Sequence, residues 1–187
     1  MPPRYALHRS EHGVLRSAGL GDHLAVHRSG PRRSGIAQIR YTPKNKATHD
    51  VDLAQRRIRI VLKGGDIGFA PIGNKSAQAL DRYIRARARR PQRAEPWLWI
   101  SPKGRLTPDG LYQMVVRRGE QAGIAGLHPH QFRRTSVTEF LDAGGSELAA
   151  QHVYGWKSTA MVTHYTKETA RRRARDQHSK FSPGDRF

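Results

Sequence analysis

A change of hydrophobic period near residue 73 constrains this chain more than any other feature. Arg57-Ile58-Arg59-Ile60-Val61-Leu62 begins in strict alternation, Lys63-Gly64-Gly65-Asp66 supplies turn chemistry, and Ile67 to Ile72 forms a second apolar run ending near Pro71. Two such runs joined by a Gly-Gly turn read as a β-hairpin with Lys63 at its tip. Beyond it the period lengthens. Asn74 is placed to cap a helix whose apolar face carries Ala77, Leu80, Tyr83 and Ile84, with Arg82, Arg85, Arg87 and Arg89 turned elsewhere, until Pro91 stops it. Trp97 to Ile100 reads as a third short strand.

Helix signals then follow one another. Thr107-Pro108 is a strong start, because threonine caps free amides and proline fits the first turn without wasting a donor; Leu111, Met114 and Val115 form the inward face. Phe132, Val137, Phe140 and Leu141 mark another amphipathic helix that ends at Gly144-Gly145. Ser146 opens the next and Gly155 closes it, and Ser158 or Thr159 caps a short helix bearing Met161, Val162 and Tyr165. The fold class that follows is α+β, mainly helical, with a small antiparallel sheet. Residues 1–28 sustain no period and are expected to be poorly ordered. Residues 29–170 are expected to form the organised domain, and residues 171–187, opening with Arg171-Arg172-Arg173-Ala174-Arg175, a basic tail.

Charge narrows the partners. Lys and Arg total 34 against 15 Asp and Glu, a formal charge of +19. That imbalance opposes compaction unless a polyanion is the usual neighbour, and nucleic acid is the first candidate. Cysteine is absent, so disulfides and thiolate metal sites are excluded, which suits a reducing cytoplasm. The longest apolar stretches, Ile60 to Leu62 and Trp97 to Ile100, are far too short to span a bilayer. No P-loop, His-Glu-x-x-His helix or carboxylate cluster is present, and His128-x-His130 lacks a third ligand in register.

One constellation carries chemistry: His130-Gln-Phe-Arg133, then Gly155-Trp156, then Tyr165. Taken singly each has a bland structural role, Tyr165 as a boundary tyrosine, Lys63 as a solvated hairpin residue. Taken in order and spacing they resemble the signature of the tyrosine site-specific recombinases, the phage-integrase family: His-x-x-Arg, Gly followed by His or Trp, then Tyr. Upstream, Ser29-Gly30-Pro31-Arg32-Arg33-Ser34-Gly35 is similar to the family's Thr-Gly-x-Arg-x-x-Glu turn, with Gly35 in place of the glutamate. Arg134 stands where the family most often has histidine. The family's hairpin lysine resembles Lys63.

This resemblance implies a catalytic domain over residues 29–170 with the fold of DNA breaking-rejoining enzymes. It implies a recombinase or integrase that cuts and rejoins strands through a 3′-phosphotyrosyl bond. Arg32 and Arg133 would grip the non-bridging phosphate oxygens with planar, permanently charged forks. Tyr165 would be the nucleophile, His130 a proton acceptor or phosphate ligand, and Trp156 a donor-only indole N–H. Lys63 would be the general acid for the departing 5′ oxygen. No metal, nucleotide or other cofactor is implied. The implied partner is double-stranded DNA, with self-association in a tetrameric synapse through the segment after Tyr165 and no membrane. The family generally carries a separate helical DNA-gripping domain before the catalytic one, for which this chain has no room. The alternative expectation is therefore a truncated, inactive, DNA-binding remnant of the same fold.

Overall fold

The computed structural model describes residues 33–45, 47–61, 65–156, 158, 160–167 and 170–186. The expectation for residues 1–28, and the expected site residues Arg32 and Lys63, lie outside these. The described residues divide into two compact units, one running to Arg133 and the other from Arg134 onward.

In the first unit, helix α1 (Arg33–Ala37) precedes a three-stranded antiparallel sheet of β1 (Val51–Asp52), β2 (Arg57–Val61) and β3 (Ile67–Pro71), in that spatial order. The predicted hairpin is β2 and β3, in a register that pairs Ile58 with Ala70 and Val61 with Ile67. Alternation in β2 is realised as burial: Ile58 and Ile60 enter the core while Arg57 and Arg59 stay half-exposed. The apolar run of β3 behaves differently. Only Ala70 is buried, and Ile67 and Phe69 are 59% and 51% exposed. Phe69 faces the Arg57 guanidinium, 4.5 Å from its ring centroid, an arrangement that shields an edge-strand aromatic without burying it.

Helix α2 (Asn74–Arg87) has Gly73, not Asn74, in the capping position; the Asn74 carboxamide oxygen instead accepts from the Arg56 guanidinium. Leu80 and Tyr83 are buried as expected, but so is Arg87, 3% exposed, which corrects its assignment to the outer face. Its guanidinium donates to the backbone carbonyls of Arg93, Glu95, Trp97 and Leu98, and lies over the Tyr41 ring. Those bonds fasten the segment after α2, including the 3₁₀ turn Pro91–Ala94, to the core. Burial lowers the Arg87 pKa from the usual arginine range, partly offset by Tyr83. The Tyr83 hydroxyl donates to the Leu98 carbonyl at 3.0 Å and accepts the Ile100 N–H at 3.1 Å.

Of the strand expected over Trp97 to Ile100 only Ile100 is in a strand: β4 (Ile100–Ser101) pairs with β5 (Gly104–Arg105) as a separate two-stranded ribbon. Trp97 joins Arg40 in an isolated bridge, and Trp99 rather than Trp97 is the fully buried tryptophan. The core gathers Ile36, Ile39, Ile58, Leu80, Leu98, Trp99 and Leu111. Helix α3 (Pro108–Gln121) starts as predicted, with Thr107 Oγ1 accepting the Gly110 N–H at 3.1 Å. Val115 of α3 packs with Leu127 and Phe132 in a smaller cluster.

Helix α4 (Pro129–Asp142) contains the division between the units. In the second unit Val137 and Leu141 of α4 pack with Ala150 of α5 (Glu147–Val153), Tyr154, Trp156 and Val162 of α6 (Ala160–Thr166). Ser146 caps α5 through a 3.1 Å bond from the Ala149 N–H. Gly144 and Gly155 take the left-handed φ values of +95° and +62° that let one helix stop and the chain turn toward the next. The basic segment after residue 170 is helical, α7 (Ala170–Phe181), and Arg172 bonds Asp142 of α4 at 2.7 Å.

Candidate active site

The first turns of three helices line one cleft of about 380 Å³ in the first unit. Helix α1 supplies Arg33 and Ser34, α3 supplies Pro108 and Tyr112, and the entry and first turns of α4 supply His128, Pro129, His130 and Arg133. The volume is within the roughly 300–1,000 Å³ of pockets that enclose a small ligand.

Local sequence explains how α4 presents its groups. Pro129 stands at the first helical position, and the Gln131 side-chain oxygen reaches back to accept the His128 N–H at 2.9 Å. That is the returning half of a capping box, and it fixes the first turn. His130 and Arg133, three positions apart, then share a face. Arg133 is 3% exposed while His130 is exposed. A nearly enclosed guanidinium beside an accessible imidazole, at the positive end of a helix, is suited to an oxyanion.

Arg33 rests against the Tyr112 ring, its guanidinium carbon 5.7 Å from the centroid, and lies 3.5 Å from the Asp109 carboxylate. Asp109 is 89% exposed, so that pair holds Arg33 only weakly. Tyr112 and Arg33 were not singled out from sequence. Tyr112 falls in the second turn of α3, at the edge of its buried Leu111 and Val115 face, where it is 36% exposed.

His130 and Arg133 are thus the predicted site residues that the structure brings into one cleft. Trp156 and Tyr165 belong to the second unit. Trp156 is 6% exposed and stacks on Tyr154 with ring centroids 5.3 Å apart, while its backbone N–H bonds the Gln151 carbonyl. The Tyr154 hydroxyl and Ser136 Oγ lie 2.7 Å apart, tying the same stack to α4. Tyr165 falls on α6, which is anchored by the fully buried Val162. Among the described residues no group of three or more His, Cys, Asp or Glu could hold a metal ion.

A sequence model of the phage integrase family matches residues 26–172. The tyrosine recombinase XerC of Actinobacillus pleuropneumoniae serotype 7 (strain AP76) is 34% identical over 120 residues, covering 63% of this chain and 39% of the relative. The tyrosine recombinase XerD of Mycobacterium leprae (strain TN) is 31% identical over 128 residues, covering 64% and 40%. Among solved structures, the XerA recombinase superposes with a TM-score of 0.73 at 22% identity, over 87% of this chain and 57% of that one. The XerH site-specific recombinase bound to palindromic difH substrate, in its post-cleavage complex, superposes at 0.66 and 19% identity, over 86% and 45%. This chain belongs to the phage integrase family. Its fold is that of the tyrosine recombinases, and it spans about two fifths of the length of the curated relatives it matches.

Proposed function

We propose that this chain carries the catalytic machinery of a site-specific DNA recombinase. The observation that carries this reading is the cleft in which buried Arg133 and exposed His130 meet at the start of α4, in a member of this family.

In the proposed step the Tyr165 phenol oxygen attacks a DNA phosphorus and the bond to the 5′ oxygen breaks. The enzyme becomes the ester of the 3′-phosphate. The phenolic proton passes to a base, for which His130 is the candidate, and Lys63 delivers a proton to the departing 5′ oxygen. Arg32 and Arg133 neutralise the charge that builds on the non-bridging oxygens, and the Trp156 indole N–H adds a donor. Attack by the 5′-hydroxyl of a second strand reverses these transfers and rejoins DNA, so bond energy is conserved without an external cofactor. Duplex DNA is the substrate, and self-association on paired sites follows from exchanging two strands.

The direct test is trapping. Nicked duplexes that lose their 5′ fragment after cleavage should leave a covalent protein–DNA adduct resistant to denaturant, and Tyr165→Phe should abolish it. Salt-sensitive duplex binding that Tyr165→Phe leaves unchanged, with no adduct formed by the folded parent, would instead establish a non-catalytic DNA-binding protein.

A further inference from the structure

A second recess, of about 350 Å³, opens in the first unit beside the hairpin. Its inner wall is built from Arg40, Arg59, Arg105 and Trp97, with Asp50 as its carboxylate. Asp50 is 8% exposed and already engaged: it receives the Arg59 Nε–H at 2.7 Å and the Arg40 backbone N–H at 2.7 Å. The other two guanidiniums both lie over the Trp97 ring, Arg105 at 3.6 Å and Arg40 at 5.5 Å from its centroid. The Nε atoms of Arg40 and Arg105 are closed off from solvent with no acceptor among the described residues. Three guanidiniums against one carboxylate, itself already engaged, leave the recess with a net positive lining, which suits an arriving anion.

The rim indicates which anion. Val61 and Ile67, a register pair on β2 and β3, line the recess and are 52% and 59% exposed. They are the last residue of β2 and the first of β3. Val61 is two residues from Lys63, at most roughly 7 Å of extended chain. Phosphates on one duplex strand are spaced about 3.4 Å along the axis, so that reach corresponds to one or two nucleotides. A guanidinium-lined floor with an aliphatic lip suits a phosphodiester whose sugar rests on Val61 and Ile67.

We propose that this recess receives a second backbone phosphate of duplex DNA, close along the strand from the phosphate handled by Lys63. This rests on the reading that the chain acts on DNA. Arg40 is the principal ligand, Arg105 holds Trp97 in place while also donating to the Ala37 carbonyl at 3.3 Å, and Arg59 positions Asp50.

The test measures binding of the chain to a short non-specific duplex as salt is varied. Arg40→Gln should weaken binding roughly ten-fold, the loss of a charge-assisted bond, and flatten the slope of log K against log salt by about 0.9. Arg40→Lys should keep most of the slope while losing affinity, and Arg85→Gln, at an exposed pair with Asp81, should change neither. Because the chain contains no cysteine, Ile67→Cys gives a single thiol at the rim. Duplex DNA should slow its alkylation several-fold in the Arg40 background and not in Arg40→Gln. Unchanged slope in folded Arg40→Gln, or an Ile67→Cys thiol alkylated equally fast with and without duplex, overturns the proposal. So does inorganic phosphate that protects this thiol while duplex does not, which would make the recess a free-anion site. The two readings separate cleanly: a Tyr165 adduct with an unprotected rim defeats only the recess, a protected rim without adduct defeats only the recombinase, and absence of duplex binding defeats both.

Discussion

At the level of single residues, Arg133 is the most enclosed of the described residues proposed for catalysis. Its guanidinium is almost entirely enclosed, so a replacement has neither solvent nor slack to compensate. Arg133→Ala should slow adduct formation on a nicked substrate by about 100-fold or more, near 3 kcal/mol by comparison with loss of one oxyanion donor. Arg133→Lys should recover little, because a point charge cannot reproduce a planar fork. Two glycines make opposite predictions for equally small changes. At Gly35 a Cβ meets only the Val61 carbonyl oxygen at 3.7 Å, an ordinary contact. Gly35→Ala should therefore raise stability by about 0.4–1 kcal/mol in urea unfolding, since it removes helical glycine without strain. At Gly119 a Cβ would come within 2.6 Å of the Leu127 Cβ and 3.0 Å of the Ile124 carbonyl oxygen. Gly119→Ala should cost about 1–3 kcal/mol in the same assay, because backbone must move.

Among elements, the informative case is α2. Periodicity identified Leu80 and Tyr83 as inward but assigned Arg87 outward, since arginine is almost never buried unless paired. Its partners are backbone carbonyls of residues 93 to 98, which no side-chain pattern announces. Arg87→Ala should destabilise by about 3 kcal/mol or more, measured as a shift of the denaturant midpoint, because several buried carbonyls lose their donor together. Arg87→Lys should recover only part. Next to it, burial raises the Tyr83 phenol above its ordinary value, opposed in part by the Ile100 N–H and by Arg87. A folded-state value above the unfolded one means the neutral phenol favours the fold; that contribution is complete below about pH 10 and fades as pH rises beyond it. Thermal midpoints of Tyr83→Phe should consequently fall less than those of the parent between neutral and strongly alkaline pH. The β2–β3 pairing, two of the caps and the helix stops were legible because each is a local device: Thr107 and Ser146 bond amides three residues on, and Gly144 and Gly155 supply left-handed turns, whereas the cap expected at Asn74 belongs to Gly73. The exposure of Phe69 was not legible, because an apolar residue on an edge strand looks the same in sequence whichever way the sheet faces.

Over the whole molecule the dominant property is a formal charge of +19. Bound to duplex DNA, a chain making about 6–10 phosphate contacts should lose some 10³–10⁵ in affinity between 50 and 200 mM salt. Fluorescence anisotropy across that range would show it, and a nearly salt-independent affinity would rule out phosphate contacts as the source of binding. What could be read along the chain was order: which periods alternate, where helices start and stop, and that His130, Arg133, Trp156 and Tyr165 follow one another at the spacing of a known family. Those properties depend on neighbours a few positions apart. What folding alone decided was company: that Arg33 and Tyr112 join His130 and Arg133 around one cleft, that Arg87 is spent on holding a loop, and that Arg40 and Arg105 both lie over Trp97 in the wall of a recess. Such groupings unite residues tens of positions apart, and they arise only when sheet, ribbon and helices bury their apolar faces together.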